Sequence, residues 1–114
     1  MTEQSLNAAR LLPWDGREGQ PCYVVGDGTG RVSRAADTVE AVQLGMALDL
    51  IDHAEDMLDD DRCTEVQFRH VTTALTQSLR EVHRVARSRG LRLGVPDRSE
   101  VEHPTGPGLV RLRP

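Results

Sequence analysis

Two amphipathic segments, residues 37–58 and 64–89, limit the folds open to this chain. In the first segment, apolar residues recur every three or four positions, as Val39, Val42 and Met46 do, and this is the spacing of one helix face. The second segment has the same periodicity. Because only a short link separates the two segments, the helices must run antiparallel. We therefore predict a mainly α fold built on an antiparallel two-helix hairpin.

Residues that favour helix ends mark both segments. Asp37 and Glu40 have the spacing of a capping box for the first helix, and Thr64 and Gln67 repeat that spacing at the start of the second. Gly90 follows the last apolar turn and predicts a glycine cap at the end of the second helix.

The first helix is predicted to have a wider apolar face than the second. Its stripe exceeds the roughly 100° that one neighbouring helix covers, whereas a single partner helix would satisfy the second. Gly45 lies in the middle of the first helix, where glycine costs about 1 kcal/mol relative to alanine, so we expect another backbone to approach it closely. That backbone belongs either to the chain's own β-hairpin or to a second copy. The predicted protein-interaction residues are Ala41, Leu44, Gly45, Leu48 and Ile51.

A short β-hairpin is predicted before the helices. Residues 22–25 and 31–33 are the two candidate strands, and the glycine-rich residues 26–30 form the turn between them. Since an isolated two-stranded hairpin is marginal in water, it should lean on the helices or on a second copy. The predicted organisation is a loosely ordered arm (1–20), a helical-hairpin domain with the β-hairpin (21–93) that dimerises into a four-helix arrangement, and a flexible tail (94–114).

Charge is segregated between the two helices. Residues 37–61 contain nine acids and no base, whereas five arginines lie between residues 64 and 90. One interpretation is mutual neutralisation within the hairpin, where exposed pairs contribute about 0 to 1 kcal/mol each. The other is a docking surface for an acidic partner or for DNA. The residues of that predicted arginine face are Arg69, Arg80, Arg84 and Arg87.

No spacing in the chain matches a catalytic, metal or nucleotide motif. The glycines of residues 26–30 lack the lysine and the following helix of a phosphate loop. Asp49 and His53 lie one turn apart and the hairpin would bring His70 towards them, yet zinc needs three or four converging ligands. We predict no catalytic residue, no cofactor and no metal. A small-ligand or enzymatic pocket between the β-hairpin and the helices, with Tyr23 as a further polar group, is the third hypothesis.

The cysteines and the first residues favour the cytoplasm. Cys22 and Cys63 belong to no paired motif and are expected to be reduced thiols. Residues 1–12 have neither a basic leader nor a continuous apolar run, and no stretch is long enough to span a membrane. The net charge of −4 argues against general affinity for nucleic acid or anionic membranes.

Three segments carry a resemblance to other proteins: residues 21–23 (Pro-Cys-Tyr), 33–37 (Ser-Arg-Ala-Ala-Asp) and 40–46 (Glu-Ala-Val-Gln-Leu-Gly-Met). Together they resemble a group of small uncharacterised actinomycete proteins, some encoded near helix-turn-helix regulators, over about residues 20–90. The resemblance implies a cytoplasmic, regulatory protein and transfers no site residue. All fourteen basic residues being arginine also fits a high-GC genome.

These observations predict a non-enzymatic regulatory or adaptor protein that forms a homodimer and binds an unidentified protein. A DNA-associated regulator using the arginine face is the second hypothesis, although no helix-turn-helix turn is recognisable.

Overall fold

The computed structural model describes residues 9–26 and 28–94. Strand β1 (Ala9–Asp15) is followed by a 3-10 turn (Arg17–Gly19), strand β2 (Pro21–Val25), helix α1 (Arg31–Leu58) and helix α2 (Glu65–Arg92). The fold is mainly helical, with two helices preceded by a two-stranded antiparallel β-hairpin, as the sequence predicted. The predicted C-terminal tail, apart from its first residue, lies outside the described residues.

The β-hairpin contains one of the two predicted strands, but a different segment pairs with it. Strand β2 contains the predicted residues 22–25, but it pairs with β1, so that Ala9 faces Val25 and Leu11 faces Tyr23. The other predicted strand, residues 31–33, is the first turn of α1. Seven residues of the predicted loose arm therefore form a strand. The alternation of apolar and polar residues in β1 is interrupted at Pro13, where the pairing between Leu11 and Asp15 is irregular. The sequence therefore lacks the usual pattern of a strand at this place.

Helix α1 begins earlier than predicted. Gly30 is its N-cap and makes no side-chain capping bond, while the backbone N–H of Arg34 donates to the carbonyl oxygen of Gly30 at 3.0 Å. Asp37 and Glu40 therefore do not form the predicted capping box, because both lie inside the helix. The helix ends at Leu58, as its periodicity indicated.

Helix α2 has the predicted capping box at its start. The Thr64 hydroxyl accepts a hydrogen bond from the backbone N–H of Gln67 at 3.1 Å, and the Gln67 side chain accepts one from the backbone N–H of Thr64 at 2.8 Å. The helix runs past the predicted stop at Gly90 and ends at Arg92. Gly94, with φ of 81°, adopts the left-handed conformation that usually follows a helix end.

The core lies where β1 packs against both helices. Leu11 and Leu12 of β1 are almost fully buried there, together with Ala36 of α1 and Val85 of α2, whereas the buried Val71 lies nearer the interhelix link. This end of the hairpin holds the start of α1 and the end of α2, and we call it the open end. The strand thus joins the two helix ends that the interhelix link does not connect.

Candidate functional site

A buried group of charged side chains lies at the open end. Arg10 of β1 is 6% exposed, and its Nη2 lies 2.7 Å from Asp37 Oδ1 and 3.2 Å from Glu40 Oε2. Its Nη1 donates to the carbonyl oxygen of Ser33 at 3.0 Å. Glu40 is 1% exposed, so this carboxylate is taken almost entirely out of water and depends on its partners.

Helix α2 completes this cluster with two further arginines. Arg89 Nη2 lies 3.3 Å from Glu40 Oε1, and Arg92 Nη2 lies 4.0 Å from Glu40 Oε2. Burial lowers the pKa of Arg92, and the nearby Arg10 lowers it further, while Glu40 opposes the shift. We refer to Arg10, Asp37, Glu40, Arg89 and Arg92 as the ion cluster. It links β1, α1 and α2 and has a structural role.

The predicted interaction residues of α1 lie on an open surface. Leu48 is 65% exposed and Ile51 47% exposed, while Ala41 and Gly45 are also exposed and Leu44 is half-buried. A Cβ built on Gly45 would meet no atom of the described residues within 4 Å. The close approach to the chain's own β-hairpin, one of the two explanations for Gly45, is therefore wrong.

Helix α2 also leaves apolar side chains uncovered. Phe68 is 38% exposed and Leu79 69% exposed, whereas Val71 is buried. The expectation that one neighbouring helix covers this stripe is therefore wrong. The reason is that α1 contacts the Val71 side of α2 and leaves the neighbouring side free.

Several exposed apolar residues of the two helices lie on one side of the hairpin. His53 of α1 and His70 of α2 line a common groove on the other side. Ile51 is two residues from His53, and Phe68 is two residues from His70; two residues turn an α-helix through about 200°. Ile51 and Phe68 therefore lie opposite the groove. We call this surface the open apolar face, and its residues are Leu44, Leu48, Ile51, Leu58 and Phe68.

The opposite charges of the helices meet only in part. Interhelix ion pairs join Glu40 to Arg89 and Arg92, whereas Arg69 pairs within its own helix with Glu65 at 3.6 Å. Further along α1, Asp49, Asp52 and Asp56 have no ion-pair partner among residues 9–26 and 28–94. Neutralisation within the hairpin is thus concentrated at the open end, and an acidic surface remains along the rest of α1.

The predicted arginine face is divided between two places. Arg80, Arg84 and Arg87 line a cleft of about 570 Å³ between α2 and the β-hairpin, in which Arg84 Nη2 lies 2.9 Å from Asp15 Oδ1. Arg69 does not line this cleft. DNA binding by the four arginines remains a prediction, which a mobility shift at low salt would test.

The residues suggested for a catalytic pocket do not converge. His53 and His70 share their groove of about 390 Å³ with apolar side chains such as Leu50 and Met57, but Asp49 and Tyr23 are not among its lining residues. In the part of the chain that the structure describes, no three His, Cys, Asp or Glu side chains are placed to hold a metal ion.

The remaining predicted features have local explanations. Asp60 Oδ1 accepts a hydrogen bond from the backbone N–H of Arg62 at 2.9 Å, so this carboxylate stabilises the turn between the helices. Arg62 Nε also lies 3.7 Å from the same carboxylate. Cys22 and Cys63 are half-buried free thiols. Neither helix of the described residues is both long and apolar enough to cross a membrane.

Comparison with models of protein families, with curated proteins and with solved structures found no match to this chain. The likeness to small actinomycete proteins therefore remains a prediction from the sequence.

Sequence reasoning missed two groups of residues. Arg10 and Ser88 lie in unremarkable sequence contexts, although an arginine directly before the apolar Leu11-Leu12 pair is a signal that its charge needs a buried partner. Trp14 lines the cleft beside Arg84, a position that depends on the pairing of β1 with β2.

Proposed function

We propose that this chain is a non-enzymatic regulatory or adaptor protein of the cytoplasm, which forms a homodimer and binds another protein. The observation that carries the proposal is the open apolar face. Large side chains that lie together and face water are typical of surfaces that another protein covers.

The spacing of the open apolar face suits a helix-to-helix contact. Along α1, Ala41, Leu44, Leu48, Ile51 and Leu58 follow one another at alternating intervals of three and four, with Glu55 as the interruption. This is the pattern by which helices interdigitate their side chains in coiled coils and four-helix bundles. Full burial of one leucine or isoleucine contributes about 1.5 to 3 kcal/mol, so covering several of them supports a stable dimer.

Charge indicates how the two copies would pair. Helix α1 carries uncompensated aspartates, and α2 is rich in arginine. A twofold contact that places α1 of one copy over α2 of the other brings unlike charges together twice, whereas α1 over α1 would oppose like charges. We propose the first arrangement, which yields a four-helix assembly.

Two further observations support the rest of the proposal. Cys22 and Cys63 are free, which suits the reducing conditions of the cytoplasm. The polar residues weighed for catalysis, Tyr23, Asp49 and the His53–His70 pair, do not share one pocket. An adaptor acts through binding surfaces and needs no catalytic pocket. The dimer would leave the β-hairpin side of each copy free for a partner.

The dimer is tested by measuring mass with light scattering after size exclusion at micromolar concentration. The wild type should have twice the chain mass of 12.6 kDa. Leu48→Glu should be monomeric and folded, since Leu48 is already exposed in one copy. Val66→Glu is the matched control, because Val66 is 64% exposed but lies two residues from Phe68, on the other side of α2.

A monomeric wild type, or two variants that both remain dimeric, would contradict the proposed interface. The partner is sought by affinity purification from the native host followed by mass spectrometry. A protein captured by the wild type and by Val66→Glu, but lost with Leu48→Glu, is the expected result. If no captured protein depends on Leu48, the adaptor function of the dimer is wrong.

A further inference from the structure

The cleft between α2 and the β-hairpin combines an apolar wall with several cations. Leu11, Trp14 and Pro21 line it from the β-hairpin, and Leu79 from α2. The basic lining residues lie on successive turns of the same helix and are Arg80, His83, Arg84 and Arg87. Its volume of about 570 Å³ is within the range of about 300 to 1,000 Å³ typical of small-molecule sites.

The cleft carries an excess of positive charge. Three arginines line it, and Asp15, which pairs with Arg84, is the acidic residue among its lining residues. Within the described chain, the side chain of Arg80 makes no ion pair or hydrogen bond. A guanidinium group presents several N–H donors in a planar fork that matches a carboxylate. Arg80 is thus placed to bind an anionic group.

The apolar wall of the cleft indicates that a ligand also needs an apolar part. Leu79 is 69% exposed at the cleft, and the indole ring of Trp14 is partly accessible. Covering these side chains removes apolar surface from water, and an aromatic ring packs well against both an indole and a guanidinium plane. A bare inorganic anion would leave this wall exposed, and a neutral apolar molecule would leave the Arg80 side chain without an anion.

We propose that this cleft binds a small organic anion that has an aromatic or aliphatic body and a carboxylate. The carboxylate pairs with Arg80 at the mouth of the cleft, beside Arg84 and Arg87. The body lies between Trp14 and Leu79. The site is separate from the open apolar face, and the inference is independent of the dimer.

The chain has a reporter for this site, because Trp14 is its single tryptophan. The full-length protein is titrated with phenylpropionate and, in parallel, with phenylpropanol, which has the same ring and chain but no charge. Tryptophan fluorescence and calorimetry are recorded. We expect saturable binding of the acid that is at least about fivefold tighter than that of the alcohol and that weakens as salt is added.

A pair of arginine variants tests the role of Arg80. Arg80→Gln should weaken phenylpropionate binding by about fivefold, whereas Arg69→Gln, which removes an equal charge from the same helix outside the cleft, should leave binding within about twofold of the wild type. Leu48→Glu should bind the acid as the wild type does, whatever its mass.

Several results would overturn the inference. They are the absence of saturable phenylpropionate binding, equal binding of acid and alcohol, and equal losses in Arg80→Gln and Arg69→Gln. Binding of a glutamate-rich peptide without binding of phenylpropionate would also overturn it, because the cleft would then belong to a protein partner.

Discussion

The guanidinium group of Arg10 lies 3.2 Å from the carboxylate of Glu40, and 30 residues separate the two in the chain. Both side chains are almost completely buried, and Glu40 also receives Arg89 from the far end of α2. An ionic contact between two nearly buried side chains therefore joins β1 to α1. It adds to the apolar contacts of Leu11 and Leu12 that hold β1 on the helices.

The ion cluster should be essential for stability. Glu40→Gln removes the carboxylate and leaves Arg10 buried with fewer compensating charges, so we expect a loss of about 3 to 5 kcal/mol in the free energy of unfolding. This loss is measured by urea denaturation, with unfolding monitored by circular dichroism. Glu65→Gln, which breaks the exposed pair with Arg69, is the control and should unfold at the wild-type midpoint. Similar midpoints for both variants would show that the cluster contributes little.

The contact between Ser88 and β1 should contribute separately. The buried Ser88 hydroxyl donates to the carbonyl oxygen of Leu11 at 2.8 Å. Ser88→Ala leaves this carbonyl oxygen without that donor, and we expect a loss of about 1 to 3 kcal/mol. Thr73→Ala removes a hydroxyl that donates to Arg69 on the exposed side of α2 and should be neutral or slightly stabilising. Equal effects of the two substitutions in a denaturant titration would contradict this assignment.

Two glycines should respond in opposite directions to alanine. A Cβ at Gly45 meets open space in one copy, so Gly45→Ala should raise the free energy of unfolding by about 1 kcal/mol. Gly94 has φ of 81°, so Gly94→Ala should lower the free energy of unfolding by about 1 kcal/mol. Thermal unfolding is measured in the Leu48→Glu background, where the proposed dimer contact does not contribute. A destabilised Gly45→Ala monomer would mean that another part of the chain approaches this position.

The capping box of α2 should stabilise the end of the hairpin at which the link joins the two helices. Thr64→Ala removes the hydroxyl that accepts the Gln67 N–H, and we expect a loss of about 1 kcal/mol. Thr64→Ser keeps an acceptor at the same place and should retain most of the stability. If serine proves as damaging as alanine, the methyl group and not the cap explains the loss.

The helical hairpin was predictable because its signals are local. Apolar residues at helical spacing and the Thr64–Gln67 box each depend on neighbours within one or two turns, and the structure has both. The start of α1 was missed because residues 26–30 carry a strong turn signal and residues 31–33 then resemble a strand. Gly90 lies inside α2 because Gly94 terminates the helix four residues later.

The ion cluster and the cleft were not predictable in the same way. Glu40 has the spacing of a capping residue from Asp37, and only the position of β1 shows that it is a buried partner of Arg10. Likewise, the arginines of α2 recur on one face, but the strand that turns part of this face into a cleft comes from a segment interrupted by Pro13. Both features depend on contacts between residues far apart in the chain.

The bond between Ser88 and Leu11 spans 77 residues, so it can form only once two distant parts of the chain have met. Each helix can form from local contacts, and the link can bring the two together early. Strand β1 finds its place only when the start of α1 and the end of α2 are both present. During synthesis β1 leaves the ribosome before the part of α2 that contains Ser88, so its contacts with α2 can form only after that helix has emerged.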